Sequence, residues 1–205
     1  EVRAATEQRR TIGGYAAKFS RKSSDLGGFV EQIAPGFFDH SAAEGWPGVV
    51  ARYNHSDDFL LGTTDAGTLR LSTDSVGLLY EVELPQHRAD VYELVQRGDV
   101  KQSSFAFIAL EDDWDTDENG YPRRTLVSGK LIDVAPVITP AYPDTSTGLR
   151  SLAQKIGADE NEVRRLAAAG ELRKLLKRPA KVIDLGRLTL RRKQFELETI
   201  WSRIL

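Results

Sequence analysis

Two adjacent serines, Ser103 and Ser104, stand at the start of an apolar run of strand-like residues in the sequence DVKQSSFAFIAL, residues 99–110. A serine hydroxyl is a weak nucleophile until a neighbouring base takes its proton, and a third group, commonly a carboxylate, orients that base. Either serine is therefore a candidate nucleophile, held rigid by the strand that follows it. The alternative is that both are polar residues at the mouth of a strand and have no chemical role.

The base of such a site would come from the three histidines of the chain, His40, His55 and His87. His55 lies in RYNHSDD, where an apolar strand gives way to polar residues. A strand end can hold an imidazole firmly while leaving it accessible, so His55 is the candidate that we prefer. A structural or solvent-exposed histidine is the alternative.

Asp133 is the best candidate for the orienting carboxylate. It interrupts the apolar sequence KLIDVAPV, so its side chain faces either the interior or the solvent side of a strand. A carboxylate in the interior is costly unless it has a partner, and an imidazolium would be one. The residues alone leave both positions open.

Several other chemistries are excluded by composition and motif. The chain has no cysteine, which rules out disulfides, thiolate metal sites and cysteine nucleophiles. It also lacks the phosphate-binding loop, the dinucleotide fingerprint, the G-x-S-x-G elbow and the H-E-x-x-H zinc motif. No apolar run approaches the ~20 residues that cross a bilayer. We therefore expect no cofactor, no metal and no membrane partner.

The elements that would position these residues are mostly strands. The clearest is a hairpin in AGTLRLSTDSVGLLYEVEL, where apolar and polar residues alternate on both sides of the turn. RADVYELVQRGD has helical spacing and ends at Gly98. The acidic sequence EDDWDTDENGYPRR predicts an exposed loop between paired strands. Because His55, the two serines and Asp133 are far apart along the chain, only separate strands of one sheet can bring them together.

The composition changes near residue 150. Residues 1–150 contain 15 Lys and Arg against 23 Asp and Glu, whereas residues 151–205 contain 13 against 7. Apolar residues recur at helical spacing beyond this point, and Asp159 with Glu162 predicts a capping box. We therefore divide the chain into a β-rich body, residues 1–150, and a basic helical tail, residues 151–205. Helix-turn-helix DNA readers have similar helices, but such helices are common without any DNA role, so we do not expect a nucleic-acid partner.

Several stretches of the body resemble the prohead (capsid maturation) proteases of tailed phages, which are distant relatives of the herpesvirus assemblins. They are GYAAKF, FVEQIAPGFFD, RYNHSDDFLLGTTDAGTLRLSTDSVGLLYEVELP, ADVYELVQRGDVKQSSFAF and LIDVAPVITPAYPDTS. They follow the family's order and approximate spacing and span residues 12–147. The ordered set carries the resemblance, rather than any single stretch.

The resemblance implies a serine endopeptidase of the α+β class, built on a mostly antiparallel, assemblin-like β-barrel flanked by helices. His55, in the family's Asn-His element, would be the general base. Ser104, the second serine of QSSF, would be the nucleophile. Asp133 would orient His55, at a position where many relatives carry glutamate.

The resemblance also implies substrates and a place of action. The partners would be the major capsid protein with its scaffolding segment, other prohead proteins and the protease itself, which implies self-cleavage and self-association. The enzyme would act inside the procapsid, in the host cytoplasm, and the helical tail would be a docking or packaging element. The alternative is a non-enzymatic assembly or scaffold-binding protein of the same fold.

Overall fold

The structure, a computed structural model, describes residues 2–5, 10–139 and 145–176. Its strands are β1 (Val2–Ala5), β2 (Thr11–Lys18), β3 (Val30–Ile33), β4 (Val50–Arg52), β5 (Leu60–Thr63), β6 (Leu69–Thr73), β7 (Gly77–Glu83), β8 (Gln102–Thr116) and β9 (Pro122–Val137). Its helices are α1 (Asp39–Ala43), α2 (Ala89–Arg97), α3 (Thr145–Ile156), α4 (Glu160–Ala168) and α5 (Arg173–Leu176).

The strands form two sheets. One is antiparallel, with the order β1-β2-β7-β6. The other is built around β9, which pairs with β8 along one edge and with β3 and β4 along the other, and β5 follows β4. The apolar core lies between the sheets and includes Phe37, Leu78 and Leu131. The site described below therefore lies on strands whose inner faces are fixed by this core.

The expected closed barrel is not seen. A barrel requires that every strand edge be paired. Within the described ranges β8 pairs only with β9, so its second edge carries no strand. The pairs β3–β9 and β4–β9 are also parallel. The α+β class is confirmed and most strand pairs are antiparallel, whereas the described residues do not form the expected barrel.

The predicted hairpin is confirmed as β6 and β7. Leu78, Tyr80 and Val82 alternate into the core, as a strand with one buried face requires. In the connecting turn, Asp74 Oδ1 accepts hydrogen bonds from the backbone N–H groups of Val76 and Gly77 at 2.7 and 3.0 Å.

The predicted helix is confirmed as α2. It buries Val91 and Val95 on one face. It ends at Gly98, whose φ of 80° is left-handed and favours glycine. The helical spacing of its apolar residues was therefore sufficient to predict this helix.

The acidic sequence 111–116 is strand rather than loop. β8 continues to Thr116, and only residues 117–121 form the turn to β9. Trp114 is buried against Phe29, with ring centroids 4.9 Å apart. Across the strands, Arg123 Nε donates to Asp115 Oδ1 at 2.8 Å. Cross-strand ion pairs of this kind stabilise a strand whose negative charges would otherwise disfavour it.

The helices α3 to α5 pack on the sheet through a second apolar cluster. Leu152, Val163 and Leu172 contact the body there, together with Phe29 and Trp114. Asp159 caps α4 by accepting a hydrogen bond from Glu162 N at 3.1 Å, as predicted. The division that we placed between residues 150 and 151 falls within α3. Residues 177–205, the larger part of the predicted tail, lie outside the described residues.

Candidate active site

His55 is carried by a tight turn at the end of β4. This strand lies beside β9 in a parallel pair, with Val50 opposite Asp133, and the chain then enters the turn Tyr53–His55. Asn54 and His55 have left-handed φ values of 52° and 58°. The Asn54 side chain accepts a hydrogen bond from Ile138 N at 3.0 Å, which ties the turn to the end of β9. Left-handed non-glycine residues are strained and tend to occur at functional sites.

The turn brings His55 against Asp133. His55 Nδ1 lies 2.8 Å from Asp133 Oδ1, and the Asp133 side chain is fully buried. An ionised carboxylate only accepts hydrogen bonds, so Nδ1 donates and the neutral imidazole keeps its lone pair on Nε2. Nε2 is buried and has no hydrogen-bond partner among the described residues. The arrangement therefore presents an unpaired proton acceptor.

Arg52 is the second partner of Asp133. Its Nε donates to Asp133 Oδ2 at 2.8 Å, its Nη2 contacts the same oxygen, and its Nη1 contacts the exposed Asp57. Burial raises the pKa of Asp133, but the hydrogen bonds and charges of His55 and Arg52 outweigh this, and its pKa lies below the ordinary value. Asp133 is therefore ionised at neutral pH, with one oxygen for each partner.

Arg52 is the residue that sequence reasoning missed. Its partner lies 81 residues away, so no local motif links the two. The cost of burying the Asp133 carboxylate could have indicated such a residue. An imidazole is not permanently charged, so it does not by itself compensate the charge of a buried carboxylate. A permanent cation was therefore required, and Arg52 lies at the end of the strand next to Asp133.

The two serines lie on opposite faces of β8. Ser104 is opposite Ala135, and Ala106 is opposite Asp133, with no register shift between them. Opposite residues of antiparallel strands share a face, so Ser104 and Asp133 are diagonal neighbours, with Cα atoms about 7–8 Å apart. No hydrogen bond joins Ser104 to His55 Nε2 in this structure. Such contacts are often long in the absence of substrate.

Ser103 points the other way. Its hydroxyl lies 3.2 Å from the Tyr80 hydroxyl, on the face where Phe105 and Val134 enter the core. Burial raises the pKa of Tyr80, although the Ser103 hydrogen bond lowers it in part. Ser103 is therefore held by a neutral phenol, on the face of β8 away from the imidazole.

Two cavities flank this part of β8. The larger, about 740 Å³, is lined by Arg52, His55 and Asp133, by residues 105–112 and by α3. The smaller, about 440 Å³, includes both Ser103 and Ser104. Ser104 lies on the Asp133 face but borders the smaller cavity, and the next residue, Phe105, lines both cavities.

The other two histidines are remote from this arrangement. His40 is exposed and lies 3.8 Å from Glu44, and His87 is exposed beside Pro85. In the ranges that the structure describes, no group of three or more His, Asp or Glu side chains could hold a metal ion. Likewise, none of the described helices is long and apolar enough to cross a membrane.

Comparison with known proteins gives one match. The model of a family described as caudovirus prohead serine protease matches residues 1–157, about three quarters of the chain. Neither a curated protein nor a solved structure shows a significant match. The family match covers His55, Ser104 and Asp133, and it ends within one residue of the end of α3.

Proposed function

Since the chain belongs to the caudovirus prohead serine protease family, we propose that it is a serine endopeptidase that cleaves prohead proteins during capsid maturation. The observation that supports this most directly is the 2.8 Å hydrogen bond between His55 Nδ1 and the buried Asp133. A histidine held in this way, with an unpaired Nε2, is the general base that a serine nucleophile needs.

The proposed reaction uses three side chains. Ser104 Oγ attacks the carbonyl carbon of the scissile peptide bond while His55 Nε2 takes the hydroxyl proton. His55 then returns the proton to the leaving amine, which departs and leaves an acyl-enzyme on Ser104. A water molecule, deprotonated by the same nitrogen, hydrolyses the ester and regenerates the serine. Asp133 stays ionised throughout and stabilises the imidazolium.

The proposed substrates are the scaffolding segment of the major capsid protein, other prohead proteins and the protease itself. The enzyme would act inside the procapsid, in the host cytoplasm. Residues beyond the catalytic body would dock it there. Because α3 to α5 pack on the sheet, the appropriate truncation is after Leu176. If a chain shortened at that point enters procapsids as well as the full chain does, the docking role of residues 177–205 is wrong.

The decisive experiment compares two adjacent serines. The protein is co-expressed with a major capsid protein that carries its scaffolding segment, and cleavage is followed by mass spectrometry. We expect Ser104→Ala to lower the cleavage rate about 10³-fold or more, as nucleophile removal does in other triads. Ser103→Ala is the matched control and should cleave at nearly the unmodified rate.

The outcomes separate the alternatives. Loss of cleavage in Ser103→Ala but not in Ser104→Ala would show that Ser103, rather than Ser104, is the nucleophile. Cleavage that neither substitution affects, or no cleavage by the unmodified chain, would favour a scaffold-binding protein without peptidase activity. Reaction of the full chain with a serine-directed fluorophosphonate, followed by identification of the labelled peptide, locates the nucleophile independently.

A further inference from the structure

The larger cavity is a groove that starts at the His55–Asp133 pair and follows the outer face of β8. Its volume is about 740 Å³, and its other wall is α3. The proposed base lies at one end of the groove, and Phe105, the residue after Ser104, lines it as well. A peptide whose scissile bond lies at Ser104 would therefore run along the groove on one side of that bond. The residues of the groove beyond the base are therefore placed to contact substrate.

The floor of the groove is apolar and exposed. Ile108 and Leu110 are 54% and 55% exposed, although large aliphatic side chains are usually buried. Both line the groove. Ile108 continues the outer face of β8 that begins with Ser104 and Ala106, because no extra residue interrupts β8 between them.

The register fixes how far these side chains are from the reacting bond. Ile108 is four residues beyond Ser104, or about 13 Å along a strand that rises about 3.3 Å per residue. An extended peptide has nearly the same rise. A substrate side chain above Ile108 is therefore about four residues from the scissile bond. Leu110 follows in a bulge, since Ala109 pairs with Gly129 and Glu111 with Ser128, and it lies farther from the scissile bond than Ile108.

The α3 wall is fixed to the same strand. Ser151 Oγ donates to Asp112 Oδ2 at 2.5 Å, and Lys155 Nζ donates to Asp113 Oδ1 at 2.7 Å. These bonds fix α3 beside the far end of the groove, so the groove has a rigid wall on one side. A groove with a fixed wall and an uncharged aliphatic floor fits an extended chain with aliphatic side chains.

We propose that this groove binds an extended segment of the substrate and selects an aliphatic side chain about four residues from the scissile bond, above Ile108, and a further one beyond it, above Leu110. The inference rests on the proposed peptidase function, since it takes Ser104 as the reacting residue. It goes further by naming Ile108 and Leu110 as residues that determine specificity.

The experiment uses two fluorophosphonates on the full chain, one with an ethyl chain and one with a decyl chain. Both react by attack of Ser104 on phosphorus with loss of fluoride, but only the decyl chain reaches Ile108. We expect the decyl probe to label Ser104 about tenfold faster or more, since burial of two or three methylenes suffices for that ratio. Ile108→Asp should bring the ratio of the two rates close to one, whereas Leu110→Asp, beyond the reach of the decyl chain, should leave the ratio high.

Val76→Asp is the matched control, because Val76 is an exposed aliphatic residue, 44% accessible, in the turn between β6 and β7. It should keep the ratio of the unmodified chain. Ile108→Ala provides a second variant that introduces no charge and should give an intermediate ratio.

The results distinguish two failures. A ratio near one in the unmodified chain, or a high ratio that Ile108→Asp retains, overturns the groove while the labelling of Ser104 leaves the peptidase proposal standing. No labelling of Ser104 by either probe overturns the peptidase function and this inference together.

Discussion

Two clusters of buried charge lie along β9, one near each end. Near its start, Arg124 donates to Glu31 Oε2 at 2.9 Å and to Asp112 Oδ2 at 2.6 Å. Near its end, Asp133 is held between Arg52 and His55. Each cluster contains one arginine, which binds two buried carboxylates in the first cluster and one in the second, and both clusters border the same groove.

The clusters differ in what they leave unpaired. The Arg124 cluster connects β3, β8, β9 and, through Ser151, the helix α3. Within the described residues, no buried polar side-chain atom of that cluster lacks a hydrogen bond, whereas the Asp133 cluster leaves His55 Nε2 without one. Burial of charge alone therefore does not identify a reactive site. An unpaired proton acceptor beside a cavity is the better indication.

Asp133→Asn should have the largest effect. The amide cannot hold His55 in the required tautomer, so the rate at which a fluorophosphonate labels Ser104 should fall about 10³- to 10⁴-fold. Glu31→Gln is the matched carboxylate-to-amide change in the other cluster and should leave that rate within about twofold. Equal losses in the two variants would remove the distinction between the clusters.

Arg124→Met should mainly affect stability. It leaves the Glu31 and Asp112 carboxylates buried without their cation, which typically costs about 3–5 kcal/mol. Urea denaturation measures this loss, and the labelling rate of the folded fraction should change little. Arg123→Met, at an exposed ion pair with Asp115, is the control and should cost less than about 1 kcal/mol. A loss below 1 kcal/mol for Arg124→Met would mean that its cluster does not stabilise the fold.

Arg52→Gln should produce a smaller loss of reactivity, about tenfold to a hundredfold, as changes to supporting hydrogen bonds often do. The pKa of Asp133 is lowered partly by Arg52. Removing the cation raises that pKa, so on acidification the contribution of Asp133 to the free energy of unfolding should be lost at a higher pH than in the unmodified chain. Asp57→Asn, which changes only the exposed partner of Arg52, should leave this pH dependence in place. An unchanged pH dependence in Arg52→Gln would mean that Arg52 does not keep the Asp133 carboxyl ionised.

The smallest effect concerns the pH dependence of stability. Burial raises the pKa of Glu31, and Arg124 only partly offsets this. A raised pKa means that the folded state binds the proton more tightly, so this group's contribution to stability is full below its ordinary pKa of 4.5 and falls as the pH rises through the folded value. Asp133, whose pKa is lowered, contributes in the opposite direction and loses its contribution as the pH falls. In Glu31→Gln, the free energy of unfolding should therefore rise more steeply with pH just above 4.5.

Local sequence patterns were sufficient to predict elements whose structure depends mainly on their own residues. Alternation identified the β6–β7 hairpin, and helical spacing with Gly98 identified α2. The stretch 111–116 was misassigned as loop because its charges are compensated across the strand, by arginines that follow the turn. Barrel closure could not be predicted for the same reason, since no local sequence pattern indicates which strand edges stay unpaired.

The candidate site was predictable only in part. The resemblance named His55 and Asp133, and the structure brings them into hydrogen-bond contact. Their catalytic roles, and that of Ser104, stay predictions. The arginine clusters were missed because their members are 12, 81 and 93 residues apart and form no motif. In each case the physical signal is a buried carboxylate that needs a cation, and the sequence does not say where that cation comes from.

Within the described residues, the second edge of β8 carries no strand, and this affects how copies of the chain can meet. A bare strand edge is a template for fusion of sheets between molecules. In the acidic half of β8, α3 lies against the strand, because Lys155 Nζ donates to the Asp112 carbonyl oxygen at 2.8 Å and to Asp113 Oδ1 at 2.7 Å. The half that starts at Ser104 and ends at Ile108 has no charge. The helix thus hinders adhesion between identical molecules along the acidic half of the strand.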